Sequence, residues 1–466
     1  MHDISAIPGG FETETVGRGL FVRRRWFSRG RLAVMGCLCS GLAPLAFANG
    51  VERDGHGVRA MALGGASVAS PENPLEAVAA NPAGFANGVV QLGGWGATVS
   101  GEFSNAAQSG REPDSSLGAA PEFAISIPVG TSPVTLGLGA VAQAAAGLDW
   151  SLVDAPGGLD GVTSYGTTRH RGEFLAIRTV VGASLKLSDA WSVGVSGGAT
   201  YNRNQLEAPY VFQSHPVLRG FKTLLDLETE GWGANAGAGV IYRANERLQF
   251  GLSYRSTTSF ETEGTAEGNA GEQLRSLGGA FAGVRPDFRY DARVSTALPQ
   301  SVSAGVSWRA TDSLRLVAQV DWLEWSAAFE RLDVTLTGGN NADLNGFLGS
   351  DRIDDTVPLE WKDRFVYRAG AEFEVSEDWV LRAGYAYGES PVTGSTLTPM
   401  SAAILEHTLT AGVGWQRGSL GIGLAYQYAF GGGVEVGTSG LRSGEYSASE
   451  TDLNAHVFGL TASYGF

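Results

Sequence analysis

Phe458-Gly-Leu-Thr-Ala-Ser-Tyr-Gly-Phe466 closes the chain, and its alternation decides the fold. A strand with this order places Phe458, Leu460, Ala462, Tyr464 and Phe466 on one face and smaller or more polar residues on the other. An apolar outer face that ends on an aromatic suits a transmembrane β-barrel. Lipid offers no partner to an unpaired backbone edge, so a sheet that crosses a membrane must close on itself.

Working back from that stretch, fourteen segments alternate in the same way, beginning near Val89, Pro121, Pro133, Gly172, Ala190, Gly231, Glu246, Leu298, Asp312, Glu360, Asp378, Ile404, Gly418 and Thr451. Their connections have a rhythm. Short turns lie at Gly130–Ser132, Ser188–Asp189, Ala244–Asn245, Ala310–Asp312, Ser376–Asp378 and Arg417–Ser419. Between them come long polar or glycine-rich connections, around residues 104–119, 147–171, 204–229, 262–297, 328–359, 389–403 and 431–450. A soluble β-sandwich has no reason to sort its loops by length in this way. The expectation is an all-β fold, a 14-stranded antiparallel transmembrane β-barrel over residues 89–466 with its short turns in the periplasm of a Gram-negative bacterium.

Arg23, Arg24, Arg25, Arg29 and Arg31 precede an apolar run from Leu32 to Ala48 that ends Ala46-Phe47-Ala48, which predicts a secretory signal with an extended leader over residues 1–48. The two cysteines, Cys37 and Cys39, fall inside it, so a mature chain from Asn49 excludes disulfide and thiolate chemistry. Removing that segment leaves 27 basic against 45 acidic side chains, a balance of −18 that does not suit nucleic acid. Charged residues are 17% of the chain and no mature segment is apolar enough for a membrane helix. The 67 glycines fit a curved wall and tight turns.

Residues 49–88 do not read as strand, being rich in Ala, Gly, Asn and Pro. Composition alone leaves open a linker or a plug. Ala60-Met-Ala-Leu-Gly-Gly-Ala66, followed by Asn81-Pro82-Ala83-Gly84-Phe85, resembles the N-terminal hatch of the FadL/TodX family of outer-membrane transporters for long-chain fatty acids and other hydrophobic compounds. Leu298-Pro299-Gln300, Asp321-Trp322-Leu-Glu-Trp325-Ser326, Trp361-Lys-Asp363 and Arg382-Ala-Gly384-Tyr385 resemble later strands of the family, whereas Ala80 stands where a larger residue is expected.

The resemblance implies passive uptake: capture in an apolar groove of extracellular loops, transfer to a lumenal pocket above the hatch, and lateral exit where the third strand bends. Spacing suggests a short loop helix behind Pro216 carrying Leu218, Phe221, Leu224 and Leu225, faced by Leu274, Leu277 and Phe281 of the next loop. These residues either capture ligand or pack on the barrel rim. The third strand carries Gly137, Gly139 and Gly147 around a run of alanines, the expected place for a wall to open beside Asn81, Pro82 and Ala83. Ordinary barrel curvature is the alternative.

Alternation sends Leu175, Ile177, Val181 and Leu185 to lipid and Arg178 and Lys186 inward, with Arg315, Asp321, Arg368, Glu372 and Arg382 also inward. Arg178, Arg315, Arg368 and Arg382 are candidate anchors for a fatty-acid carboxylate, or members of a structural ladder with acids across the lumen. Gly194-Val-Ser196-Gly-Gly198 has the spacing of a nucleophile elbow but sits in an alternating strand with no helix after it, and the six histidines show no zinc spacing. No catalysis, metal or cofactor is expected. Expected partners are the hydrophobic ligand, outer-membrane lipid and lipopolysaccharide, and the barrel assembly machinery, with the chain a monomer. Uptake of monoaromatic hydrocarbons and a non-transporting structural or adhesin barrel stand as alternatives to fatty-acid uptake, with a hydrolase third.

Overall fold

The computed structural model describes residues 50–466 apart from 115, 116, 282 and 402. The expected signal segment and the cleavage point at Asn49 lie outside the described residues. Each alternating segment becomes one strand of a closed antiparallel barrel of fourteen. The first seven are β1 (Val89–Asn105), β2 (Leu117–Pro128), β3 (Val134–Val153), β4 (Thr167–Lys186), β5 (Trp191–Val211), β6 (Lys222–Arg243) and β7 (Leu248–Arg255 with Thr258–Asn269). Then follow β8 (Asp287–Leu298 with Ser301–Arg309), β9 (Leu314–Leu323 with Arg331–Thr337), β10 (Ile353–Pro358 with Arg364–Glu374), β11 (Trp379–Gly388), β12 (His407–Arg417), β13 (Leu420–Phe430) and β14 (Ser449–Gly465). The wall closes where β14 pairs with β1, from Val89↔Gly465 to Ser104↔Glu450.

The outer face reads as a membrane requires. Phe458, Leu460 and Tyr464 are exposed on β14, and Phe466 just beyond it, as their alternation predicts. On β6 the outward side chains run Tyr242, Val240, Ala238, Ala236, Ala234 and Trp232, then become Glu230, Glu228 and Asp226. Trp232 packs against Tyr201 of β5 at one end of this band, with the rings tilted by 60°, and Tyr242 against Trp191 at the other, tilted by 31°. Two aromatic rows bracketing an apolar band are the two membrane interfaces.

Several segments that read as long loops are strand instead. β5 continues to Val211 and β6 begins at Lys222, so most of residues 204–229 belongs to the wall. Asp226, Glu228 and Glu230 alternate with Leu225, Leu227 and Thr229, a pattern that fits a wall standing in water above the membrane.

Residues 50–88 fill the lumen as a compact hatch. Helix α1 (Val58–Ala62) is buried throughout. Helix α2 (Pro74–Ala79) starts where the Asn73 side chain accepts from Glu76 N–H, with Pro74 at the first helical position. Asn81 caps the 3₁₀ turn Pro82–Gly84 in the same way.

The wall departs from a regular ladder between β2 and β3. β2 pairs with β3 only from Phe123↔Ala140 to Pro128↔Thr135, and a bulge follows between Ala142 and Ala144. Beyond it β3 stays on β4 and leaves β2. Leu175, expected on the lipid face, is 2% exposed and packs with Ala145 against Trp95 and Ala120 of β1 and β2, whereas Val181 nearer the periplasm is 60% exposed. The upper parts of β3 and β4 therefore lean inward behind β1 and β2.

Candidate functional site

Above the hatch lies an apolar cavity of about 280 Å³. Its wall comes from the upper strands, with Leu206, Tyr210 and Phe212 from β5 and its end, Leu225 and Leu227 from β6, and Val334 and Leu336 from β9. One side is aromatic. Phe329 stacks on Trp361 with ring centroids 4.5 Å apart, Trp325 stands edge-on to Phe329 at 5.4 Å, and Phe174 reaches Phe329 at 5.9 Å. The hatch supplies Gly50 and Val51 as part of the boundary.

A second apolar cavity of about 30 Å³ sits further out, between the connections β5–β6, β7–β8 and β9–β10. Leu218, Phe221, Leu274 and Phe281 line it together, so these members of the predicted groove do meet. Leu277 packs half-buried against the same cluster. The local structure differs from expectation. The segment after Pro216 is a turn rather than a helix, because its C-terminal half is pulled into β6. Leu225 consequently lines the larger cavity, and Leu224 turns to the other face of β6. The opposing helix exists as α3 (Gly271–Leu277). Phe212 and Ile353 line both cavities and form the partition between them.

The loops over these cavities are knotted by charge. Lys222, fully buried, lies 2.7 Å from Asp154 and 2.7 Å from Glu445, which joins the β3–β4 and β13–β14 loops at the base of β6. Burial pushes the Glu445 carboxyl up to about 7, against the pull of Lys222. Gln273 of α3 accepts from Leu159 N–H and Lys222 N–H, tying in a further loop.

Below the apolar cavity the lumen turns polar. A chamber of about 80 Å³ is lined by Glu52, Arg53, His56, Gln143, Arg255 and Asp321 among others. Gly50 and Val51 face the apolar side, and Glu52 and Arg53 the polar one. This segment also takes up the β3 edge that β2 abandons. Ala145 N–H donates to the Val51 carbonyl at 3.1 Å, Arg53 N–H to the Gln143 carbonyl at 3.4 Å, and Glu52 bridges antiparallel to Ala144. Across the gap, Arg53 donates to Glu122 of β2 at 2.6 Å and stands over the Trp95 ring at 4.3 Å. Glu122 also meets His56 Nδ1 at 2.8 Å and accepts from Gly57 N–H at 2.9 Å.

The glycines expected where the wall opens face the hatch and the cavity. A β-carbon at Gly137 would overlap the Phe85 ring, and one at Gly139 would come within 2.8 Å of Val78, so both make room for the hatch. The bulge itself falls at Gln143, whose side chain donates to Glu52 at 3.1 Å; Gly147 lines the apolar cavity above. Asn81 and Pro82 seat against β5 and β6 rather than β3. Asn81 Nδ2 donates to the Val68 and Val240 carbonyls at 2.8 and 3.2 Å, and β-carbons at Gly239 and Gly194 would overlap Asn81 and Pro82. Ala83 is buried beside them, its N–H held by Asn81 Oδ1.

All four candidate arginine anchors point inward, and none lines the apolar cavity. Arg368 bridges Asp54 of the hatch and Asp321 of β9, each at 2.6 Å. Arg315 pairs with Glu72 and Glu372, and Arg382 pairs with Glu372 at 2.6 Å. Arg178 donates to Asn235 at 3.1 Å and to the Val78 carbonyl at 3.3 Å. Three of the four are thus paired with carboxylates, and the fourth supports α2. Lys186, also expected inward, pairs with Asp189 at the exposed periplasmic turn. Ser196 lies in mid-strand, opposite Gly182 and Gly237. Phe174, Tyr210, Phe212, Phe329 and Trp361 were not singled out as site residues by sequence. The alternation Leu206, Ala208, Tyr210 was the available signal.

The family model for the outer membrane protein transport protein (OMPP1/FadL/TodX) matches residues 42–466. The chain is 21% identical over 310 residues to the long-chain fatty acid transport protein of Escherichia coli K12, covering 60% of this chain and 64% of that one. It is 28% identical over 171 residues to a protein of Neisseria meningitidis serogroup B, covering 36% and 35%. The matches therefore span about a third to just under two thirds of these curated relatives. Among solved structures, a Pseudomonas aeruginosa FadL homologue superposes with a TM-score of 0.71 at 17% identity, covering 90% of this chain and all of that one. The P. putida toluene transporter TodX follows at 0.69 and 18%, covering 89% and 99%. An outer-membrane barrel with an internal hatch, matched by the family model over nearly its whole length, this chain belongs to the outer membrane protein transport protein (OMPP1/FadL/TodX) family.

Proposed function

We propose that the protein takes up hydrophobic molecules passively, by capture in the outer apolar cavity, passage past Phe212 and Ile353 into the larger one, and lateral exit between β2 and β3 into the membrane. The observation that carries this reading is the early end of the β2–β3 ladder at Phe123↔Ala140, with hatch residues Val51–Arg53 hydrogen-bonded to the β3 edge left free. A wall that has lost its own pairing and is patched by a separable segment can open at the cost of those few bonds. The polar chamber beneath opposes straight passage along the axis, because an apolar molecule gives up about 0.8 kcal/mol for each CH₂ it exposes to water.

Glu52 and Ala144 face each other across the bridge, so Glu52→Cys with Ala144→Cys gives a lock on that segment. No cysteine follows Cys39, so the pair has no competitor in the mature chain. In cells lacking their own hydrophobic-compound channel, uptake of at least one of the two labelled probes, toluene and oleate, is expected for the reduced pair and lost on oxidation. Equal uptake in the two redox states would eliminate lateral exit, and no uptake by the folded unmodified barrel would eliminate transport of these compounds.

A further inference from the structure

We infer that the larger cavity selects uncharged hydrophobic molecules and refuses ionised carboxylates. The inference rests on the uptake function proposed above and concerns what this channel admits. An apolar tail alone would be welcome here, so the discriminating group is the head. Among the described residues, the one cationic side chain lining the cavity is Arg442, which is exposed at the outer mouth within three residues of Glu445.

The other cations nearby are already committed. Lys222 is fully buried between Asp154 and Glu445, and the lumenal arginines Arg315, Arg368 and Arg382 sit below, on hatch and wall carboxylates. Acids do reach the cavity. Asp355 lies in its wall, where Tyr210 Oη, Gln213 N–H, Ser214 N–H and Oγ and His215 N–H all donate to it at 2.5–3.0 Å. Those donors are spent on Asp355 and cannot serve a ligand. An entering carboxylate would lose its water, meet Asp355 and Glu445, and find no cation away from the mouth. An uncharged head pays no such penalty, and hydroxyls such as Thr296 and Thr398 can hydrogen-bond it.

The test uses the full barrel in lipid nanodiscs at pH 8.5, with radiolabelled decan-1-ol and decanoate as probes of matched length. Decan-1-ol is expected to bind, and decanoate at least about 50-fold more weakly. Thr296→Lys, which places a cation on the inward face of β8, should raise decanoate affinity by at least about tenfold. In the unmodified protein, decanoate binding should also rise as the pH falls toward the acid's own pKa. Decanoate binding as tight as decan-1-ol at pH 8.5, or flat with pH, would overturn the selectivity while leaving transport intact. Failure of decan-1-ol to bind, together with absent uptake in cells, would overturn both.

Discussion

The hatch meets the barrel through two unlike contacts. Toward β9–β12 it is pinned by buried charge: Asp54 to Arg368, Arg59 to Glu372 at 3.0 Å, and Thr408 donating to Asp54 at 2.8 Å. Toward β3–β6 it is seated by absence, in dents left by Gly137, Gly194 and Gly239, with Asn81 supplying backbone-like hydrogen bonds. Charge pairs resist separation because either partner left alone in a dry lumen is costly. Glycine dents also receive the hatch on the pinned side, at Gly370, Gly384 and Gly412, so what sets the flank beside the β2–β3 gap apart is that its glycine seats come without hatch-to-wall arginine–carboxylate pairs among the described residues of β3–β6. The contrast describes a hatch pinned by several charge pairs along β9–β12 and, across the β2–β3 gap, held by a single charge cluster, Arg53 and His56 on Glu122.

Breaking the pinned side should have the largest effect. Arg368→Ala strands Asp54 and Asp321, a loss of about 3–5 kcal/mol. Hydrogen exchange should then rise through residues 50–70 while the barrel keeps its resistance to unfolding in cold SDS. Unchanged exchange would mean that charge does not hold the hatch.

Glu122→Gln sharpens the comparison at the gap. It keeps the shape but removes the charge that Arg53 and His56 share, weakening the patch by about 1.5–3 kcal/mol. Faster uptake of a labelled hydrophobic compound is expected, and slower uptake would contradict a sealing role. On the seated side, Gly239→Ala intrudes on Asn81 and should cost about 1–3 kcal/mol. Asn81→Ala in the same chain should relieve the clash and recover part of the loss, measured by urea midpoint in micelles.

The smallest effect concerns the outer loops. Because burial holds the Glu445 carboxyl near 7, above its ordinary value, its contribution to the closed seam is fully present at acid pH and is lost as the pH rises through 7. Exchange in residues 154–166, corrected for intrinsic rate, should be slower at pH 5 than at pH 8. Glu445→Gln, which cannot ionise, should flatten that difference.

The residues that misled the sequence reading share a physical cause. Asp226, Glu228 and Glu230 fell at the end of a stretch that reads as a long polar connection, yet they lie on a strand whose wall there stands above the lipid. Leu175 looked lipid-facing by parity. Parity names the side of a sheet but not what covers that side, and β1–β2 cover it once β3 leans inward. The arginines were correctly turned inward, but their partners lie far along the chain, as with Arg368 and Asp54, so pairing could not be told from vacancy.

The sequence by itself determined the strand count, the short-turn rhythm, the outward aromatic faces and the Asn-Pro-Ala hatch element. The first three depend on a local rule, that side chains alternate every two residues and lipid forbids an open edge, whereas the hatch element was legible only as a resemblance to the family. Only the tertiary structure decided where β3 leaves β2, which glycines receive the hatch, and that the cavity is fenced by Asp355 and Glu445 while the arginines are spent below. Those depend on which distant groups share one dry lumen, a matter of closure and packing that no local pattern encodes.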